Sequence, residues 1–401
     1  MADAIADEFE RALYTDSTAI VHFRTFYFDR KNPGGVENEA WAGGGWLGYQ
    51  SGWLYNSVRA GAVGYTSQPI WAPDDKDGTT LLKPGQDGYT VLGQAYGQVK
   101  LMDQVFTGFR QLIDQPEVNP RDDRMTPQTV QGYSLTGKVW DIDYYGGFLN
   151  KLKLRNADVF RDFAQIAGAP AGISEDMWIG TLAYTPAPIR DLTLRVSSYL
   201  VQDILQSNYA DVLYTLPPMV RDLKLQVAAQ YIWQSSNGDD LLTGGSFDTW
   251  LGGALGNAVY GPYTFTAGYT QVGENANYRH PYGQNAAYNH MIVKDYDRAN
   301  EKAWLLGFAY DFAALNLPGA AFSTYAAFGD GAINPTTRAQ LSDVNEYDFN
   351  IDYRFTAGYW ADWAKPFWIR LRAAFMEDKL HGDTDVTKDY RAIVNYEWDF
   401  K

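Results

Sequence analysis

Two arginines at alternate positions stand out in the segment Phe367–Met376, FWIRLRAAFM, near the end of the chain. Read with the period of two of a β-strand, Arg370 and Arg372 lie on one face. The opposite face is apolar throughout and consists of Phe367, Ile369, Leu371, Ala373 and Phe375. A guanidinium group holds a carboxylate through two parallel charge-assisted hydrogen bonds. The pattern therefore indicates anion recognition, provided that the apolar face meets lipid and the arginines line a water-filled pore.

The same alternation places further basic side chains on the polar faces of strand-like segments. A charge on the lipid face near mid-membrane costs about 2–4 kcal/mol for Arg or Lys, so we expect these residues to face the lumen. A row of moderate sites lets an anion leave as well as enter, as transport requires. The alternative is that single arginines pair with inward carboxylates such as Asp348 and Asp352. The expected lumenal set is Arg24, Arg30, Arg59, Lys100, Arg354, Arg370, Arg372 and Arg391.

Strand-like runs that could position these residues continue from about residue 19 to the end. The connections between them are mostly long after odd-numbered runs and mostly short after even-numbered runs. Two connections, 202–206 and 357–366, break this rule. The connection 378–387 is expected to be one of the long ones. Outer-membrane barrels have this asymmetry. The runs are 19–30, 41–50, 56–66, 88–101, 103–111, 132–140, 148–155, 177–185, 191–201, 207–216, 221–233, 247–256, 260–272, 302–312, 319–329, 345–356, 367–377 and 388–400.

The predicted fold is therefore all-β, a transmembrane antiparallel β-barrel of about 18 strands with short periplasmic turns and long extracellular loops. No composition shift divides the 401 residues, so a single domain is expected. Aromatic residues make up 15% of the chain, and such side chains concentrate at bilayer borders. No apolar run approaches the 18 residues that a transmembrane helix needs.

Composition also excludes several classes of function. With no cysteine, the chain has neither disulfides nor thiolate metal sites. A formal charge of −15 disfavours nucleic acid as a partner. The N-terminal MADAIADEF has no basic region followed by an apolar run, and we interpret the chain as a mature form whose signal peptide has been removed.

Other motifs are weaker. The segment Gly43–Gly48, GGGWLG, fits G-x-G-x-x-G, but no crossover helix follows, so its glycines are expected to allow close backbone approach rather than to bind a dinucleotide. Asp74, Asp75 and Asp77 lack the spacing of an EF-hand and are interpreted as loop residues. The histidines, His22, His280, His290 and His381, show no ligand or triad spacing. We therefore expect no cofactor, no metal and no enzymatic activity.

Specific segments resemble a known family. Phe23–Arg30 looks like the first strand of the OprD-type substrate-specific porins of pseudomonads, and Gln128–Gly132, preceded by DDRMTP, is similar to their constriction-loop motif. Glu301–Gly319 resembles the stretch before strand 15, and Asp389–Tyr396 the final strand. The overall resemblance is to the branch that handles benzoate and other aromatic acids. One departure is Thr324, where relatives often carry an arginine.

The resemblance implies a pore in the outer membrane of a Gram-negative bacterium, surrounded by lipid and lipopolysaccharide. It implies that residues 112–131 fold inward as a constriction loop and marks Asp123 and Arg124 within that loop as constriction residues. The pore would be monomeric, with weak trimerisation left open. Together with the arginines, this predicts passive, selective uptake of small anionic carboxylates such as benzoate. The alternatives are a related porin for basic amino acids and a soluble secreted β-rich binding protein or enzyme.

Overall fold

The fold, taken from a computed structural model, is one closed barrel of 18 antiparallel strands. The structure describes residues 2–400 except 219, 221, 243–245, 357–359 and 381–382. Each strand pairs with its neighbours in sequence, and the last strand pairs with the first to close the sheet. A closed sheet leaves no unpaired edge, which is the condition for strands to span lipid. The predicted fold class and strand number are thus confirmed.

The strands are β1 (Thr18–Lys31), β2 (Glu37–Gln50), β3 (Val58–Trp71), β4 (Tyr89–Leu101), β5 (Gln104–Gln111), β6 (Thr129–Val139), β7 (Ile142–Lys153), β8 (Met177–Tyr184), β9 (Leu192–Val201), β10 (Leu205–Thr215), β11 (Leu223–Ser235), β12 (Asp248–Tyr260), β13 (Tyr263–Val272), β14 (Lys302–Asp311), β15 (Ala320–Asp330), β16 (Asp343–Arg354), β17 (Phe367–Leu380) and β18 (Asp383–Phe400). Two short helices, α1 (Ala2–Glu10) and α2 (Phe163–Ile166), are not part of the sheet that forms the wall. None of the helices in the described part of the chain is long and apolar enough to cross a membrane.

The two faces of the wall differ as the strand period requires. Along β9, for example, Leu194 and Val196 are exposed on the outside, whereas Ser197 and Tyr199 are buried on the inside. Large apolar side chains such as Trp304 cover the outer surface. These apolar side chains would contact the acyl chains of lipid rather than water, so their exposure is favourable.

One predicted connection is wrong. Residues 378–387 were expected to form a long external loop, but β17 runs to Leu380 and β18 starts at Asp383, so the two strands extend as a hairpin. Its tip, 381–382 and therefore His381, lies outside the described residues. The charged and polar residues on both sides of the tip pair in register, for example Asp378 with Asp385 and Lys379 with Thr384.

The triple glycine of β2 has the predicted role of allowing close approach. A Cβ on Gly44 would lie 2.2 Å from the carbonyl oxygen of Thr66, and one on Gly45 would lie 2.0 Å from that of His22. Gly45 also has a φ of +129°, a backbone conformation that side chains disfavour. Here β2 is pressed between β1 and β3, and only glycine fits.

The extracellular half of the barrel is filled by its own loops. Residues 112–128, between β5 and β6, form the constriction loop, three residues shorter than the predicted 112–131 because β6 begins at Thr129. Residues 273–301, between β13 and β14, fold into the lumen as well and are called the inner loop below. Apolar clusters fix both loops: Val118 packs with Tyr282 against the β7–β10 wall, and Tyr278 packs against β11 and β12.

Candidate functional site: a constriction lined by arginines

A cavity of about 370 Å³ lies where the two inward loops approach the barrel wall. Its polar lining is dominated by cations, with six arginines against three aspartates. The arginines come from three places: the β17–β18–β1 wall, the constriction loop and the start of the connection between β7 and β8. They are Arg30, Arg121, Arg124, Arg155, Arg372 and Arg391, and the aspartates are Asp123, Asp295 and Asp348.

Strand register brings the wall arginines together. Arg372 of β17 lies directly across from Arg391 of β18, and Arg30 of β1 lies across from Asp389. Asp389 is fully buried and accepts from both Arg30 Nε (2.8 Å) and Arg391 Nε (2.7 Å). One buried carboxylate thus orients two guanidinium groups. Both arginines also donate through Nη2 to the carbonyl oxygen of Ile292 in the inner loop, at 3.5 and 3.1 Å.

Arg372 differs from Arg30 and Arg391 because, in the part of the chain that the structure describes, no carboxylate bonds to it. Among the described residues, the only hydrogen bond of its guanidinium runs from Nε to Asn350 Oδ1, at 2.7 Å. Its two terminal nitrogens are therefore available to a solute in the cavity. A carboxylate could use both, in the parallel geometry that arginine favours.

The constriction loop supplies the facing cations. Arg124 donates from Nε to the carbonyl oxygen of Thr79 at 2.8 Å, and its guanidinium lies 5.2 Å from the ring centre of Phe28. Asp123 is ion-paired with Arg155 and lies 3.4 Å from Arg124. Burial alone would raise the pKa of Asp123, but Arg124, Arg155 and Arg121 lower it below its ordinary value, so the carboxylate is ionised.

Arg121 is held in a strained position at the same constriction. Its φ of +43° is unusual for a residue with a side chain, and its Nε is buried without a partner among the described residues. Burial and the nearby Arg155 lower the pKa of Arg121, although an arginine stays charged near neutral pH. The fold therefore holds at the cavity a cation whose Nε has no partner among the described residues, while its Nη1 donates to the carbonyl oxygen of Gly283 at 3.4 Å.

Arg24 faces the lumen but does not line the cavity. Its side chain is almost fully buried below the cavity, where Nε donates to Asn395 Oδ1 at 2.7 Å and Nη1 to Asp122 Oδ1 at 2.6 Å. It also donates to the carbonyl oxygen of Arg124. Arg24 thus faces the lumen as predicted, but its donors attach the constriction loop to β1 and β18.

Two further predicted residues, Arg370 and Arg354, lie nearer the periplasmic rim. Arg370 pairs with Asp352 at 2.6 Å, the structural pairing that the sequence left open. Arg354, the last residue of β16, is exposed and lies 5.1 Å from the ring centre of Trp368. Neither residue lines the central cavity.

A second group is found on the β3–β4 side of the lumen. Arg59 stacks 4.4 Å above Trp53 and donates to Gln98, while the Nζ of Lys100 lies 5.6 Å from the same ring and donates to Asn56 Oδ1.

Of the ten predicted site residues, the structure brings five to the cavity: Arg30, Asp123, Arg124, Arg372 and Arg391.

The inner loop was missed by sequence reasoning, although it forms one side of the site. Its backbone donates from Ile292 N to Asp348 Oδ2 (3.2 Å), and from Val293 N and Lys294 N to the two oxygens of Glu346 (2.7 Å each). The length of the 273–301 connection was the one available signal. The basic residues Arg121 and Arg155 were also missed, since loop positions carry no strand parity.

The two inward loops are joined to each other. Gln284 N donates to Asn119 Oδ1 at 2.9 Å, and Gln128 Nε2 donates to the carbonyl oxygen of Tyr282 at 3.2 Å. The Tyr278 hydroxyl donates to Glu117 Oε1 at 3.0 Å. The constriction is therefore one hydrogen-bonded unit rather than two independent loops.

A closed 18-stranded antiparallel barrel with an apolar outer belt, a charged lumen and inward loops is the architecture of an outer-membrane channel. The family model described as "outer membrane porin, OprD family" matches residues 12–400. The chain belongs to this family. It is thus an outer-membrane porin of the Gram-negative type, through which small solutes pass, and not an enzyme. The predicted family, fold and location are confirmed.

Individual relatives are distant in sequence but alike in fold. The porin-like protein GalP of Pseudomonas putida is 23% identical over 349 residues, which is 82% of each chain. The crystal structure of Pseudomonas aeruginosa OpdK with vanillate superposes with a TM-score of 0.83 at 20% identity, covering 96% of this chain and 99% of that one. A BenF-like porin from Pseudomonas fluorescens Pf-5 gives 0.85 at 20% identity, covering 97% and 100%.

Proposed function

We propose that this porin takes up small carboxylates, with monocyclic aromatic acids such as benzoate as the preferred class. The observation that carries the proposal is the cavity in which six arginines face three aspartates. A confined positive lumen raises the local concentration of anions and their rate of entry. Passage is passive. Each arginine offers a site of moderate affinity, so a bound solute can also leave it.

The arrangement of the aspartates supports an anion rather than a cation as the solute. Asp123 is already occupied by Arg155 and Arg124, and Asp348 accepts from the inner-loop backbone. Among the described residues, neither Asp348 nor Asp295 has an arginine in hydrogen-bond contact, and Asp295 lies 3.7 Å from the Nε2 of His280. A basic amino acid would need an unoccupied acidic wall, so that alternative is less favoured.

Apolar side chains on the same cavity support a ring-bearing solute. Tyr288 and Met291 of the inner loop and Leu305 and Tyr325 of β14 and β15 contribute to the lining. A benzoate-sized solute could direct its carboxylate towards Arg372 while its ring contacts these residues. The vanillate in the OpdK structure is itself an aromatic carboxylate, which is consistent with this class.

The barrel closes within a single chain, which supports a monomeric pore as the working unit. The outer apolar surface would contact outer-membrane lipid, with lipopolysaccharide in the outer leaflet.

Planar-bilayer recording tests the proposal. Under a salt gradient, the zero-current potential should report anion selectivity, and added benzoate should block chloride current at lower concentration than benzamide, its neutral analogue of similar shape. Cation selectivity, or equal block by benzoate and benzamide, would refute it. A panel of dicarboxylates and basic amino acids would then rank the solutes.

A further inference from the structure

The N-terminal segment is a helix attached to the periplasmic end of the barrel. Helix α1 continues as a wider turn through Arg11–Thr15 before β1 begins. Gly52 N donates to the carbonyl oxygen of Ala12 at 2.7 Å, and Tyr55 N donates to Glu8 Oε1 at 3.0 Å. Both partners lie in the 51–57 turn between β2 and β3. The helix is therefore docked outside the lumen, on a short turn of the kind that faces the periplasm.

One side of this helix is apolar and uncovered. Ile5, Phe9 and Leu13 recur at every fourth position, which places them in one stripe, and each is 45% exposed. Ala12, beside the stripe, is buried against the turn. The exposed Asp7 and Glu10 lie on other sides of the helix. The segment is thus amphipathic, with one edge on the barrel, one apolar stripe and one charged face that also carries the exposed Arg11.

The apolar stripe is continuous with the lipid-facing surface of the wall. Tyr49, the second-last residue of β2, projects outward, and its hydroxyl donates to the carbonyl oxygen of Leu13 at 2.5 Å. Leu47, two residues earlier on the same outer face, is 66% exposed. Tyrosines at strand ends mark the level at which hydrocarbon meets headgroups. That hydrogen bond ties the end of the stripe to the border of the bilayer.

We infer that residues 2–15 form an interfacial helix that inserts Ile5, Phe9 and Leu13 into the periplasmic leaflet of the outer membrane. The partner is the phospholipid surface. A helix with an apolar stripe and a charged face lies in the plane of such an interface with its apolar side among the acyl chains. The charged face, with Asp7, Glu10 and Arg11, then points to the periplasm.

The complete lack of cysteine allows a direct test in the full-length protein. Single-cysteine variants Phe9→Cys and Asp7→Cys, each carrying a nitroxide spin label, are reconstituted into phospholipid vesicles. Power saturation then compares the accessibility of each label to oxygen, which partitions into the bilayer, and to a water-soluble nickel chelate. The oxygen-to-nickel ratio at position 9 should exceed that at position 7 several-fold.

Equal, water-like ratios at both positions would overturn the inference, because they would place the stripe in the periplasm. Spectral broadening at position 9 that disappears on dilution with unlabelled porin would overturn it too, because a second copy would then cover the stripe. Leu13→Cys, with Glu10→Cys as its control, provides an independent pair. Heat-modifiable gel migration establishes that each labelled barrel is folded before the comparison.

Discussion

The constriction loop should respond to pH through Glu117, its most deeply buried acid. The carboxylate accepts from Ser207 Oγ at 2.8 Å, Tyr278 Oη at 3.0 Å and Gln234 Nε2 at 3.3 Å, so it attaches the loop to β10, β11 and the inner loop. Burial raises the pKa of Glu117 to about 7, and the three hydrogen bonds only partly offset that rise. His280 is the nearby group that favours its ionised form.

The sign of the effect follows from linkage. Because the folded-state pKa lies above the ordinary glutamate value of 4.5, the folded protein holds this proton more tightly than the unfolded chain. The resulting stability is fully present below pH 4.5 and is lost as pH rises through about 7. Between pH 5 and pH 8 the loss amounts to about 2–3 kcal/mol in the free energy of unfolding, from about 1.4 kcal/mol per pKa unit.

The assay compares wild type with Glu117→Gln, which keeps the side-chain shape and removes the titration. Thermal unfolding of the detergent-solubilised barrel is recorded at several pH values from 5 to 8. Wild type should lose stability over this range, whereas the variant should lose about 2–3 kcal/mol less. Since other groups titrate in both proteins, only the difference counts. Identical pH dependence of the two proteins would refute the assignment of this shift to Glu117.

Three further predictions concern the lumen and the wall. Arg372→Gln should weaken carboxylate block of the channel about tenfold to a hundredfold, the equivalent of one charged hydrogen bond of about 1.5–3 kcal/mol. The control variant Arg354→Gln, at the rim, should leave the block unchanged. Equal effects of the two variants would contradict the assignment of Arg372 to the cavity. Asp123→Asn removes one of three acidic charges facing six arginines and should shift the zero-current potential towards stronger anion selectivity; an unchanged potential would count against this electrostatic role. Gly45→Ala should reduce the yield of heat-modifiable, folded barrel, because a Cβ would lie 2.0 Å from a carbonyl oxygen; a normal yield would show that β2 can relax.

The fold could be predicted because strands carry local information. A period of two fixes which side chains share a face, and once the apolar face is assigned to lipid, the lumenal position of Arg30, Arg372 and Arg391 follows. Register then adds what the sequence does not carry, since Arg372 and Arg391 are placed opposite each other by the pairing of β17 with β18. The period of two placed these three residues in the lumen. It could not predict that, among the described residues, Arg372 alone of the three has no carboxylate partner.

The loops could not be predicted, because tertiary hydrogen bonds fix their paths. Nothing local to residues 273–301 indicates that the segment turns inward to meet Glu346 and Asp348, which lie more than fifty positions away in sequence. The same holds for Arg121, whose strained backbone is stable only because the two inward loops enclose it. The constriction is therefore the part of the site where the sequence was least informative.

Solute flux in proteoliposomes tests whether lumenal arginines select carboxylates. Benzoate and benzamide uptake are measured with wild type and with Arg370→Ala combined with Arg372→Ala. We predict that wild type transports benzoate faster and that the double variant loses benzoate flux while retaining most benzamide flux. An equal loss for both solutes would contradict the claim and would mean that these arginines maintain the barrel rather than choose its solute.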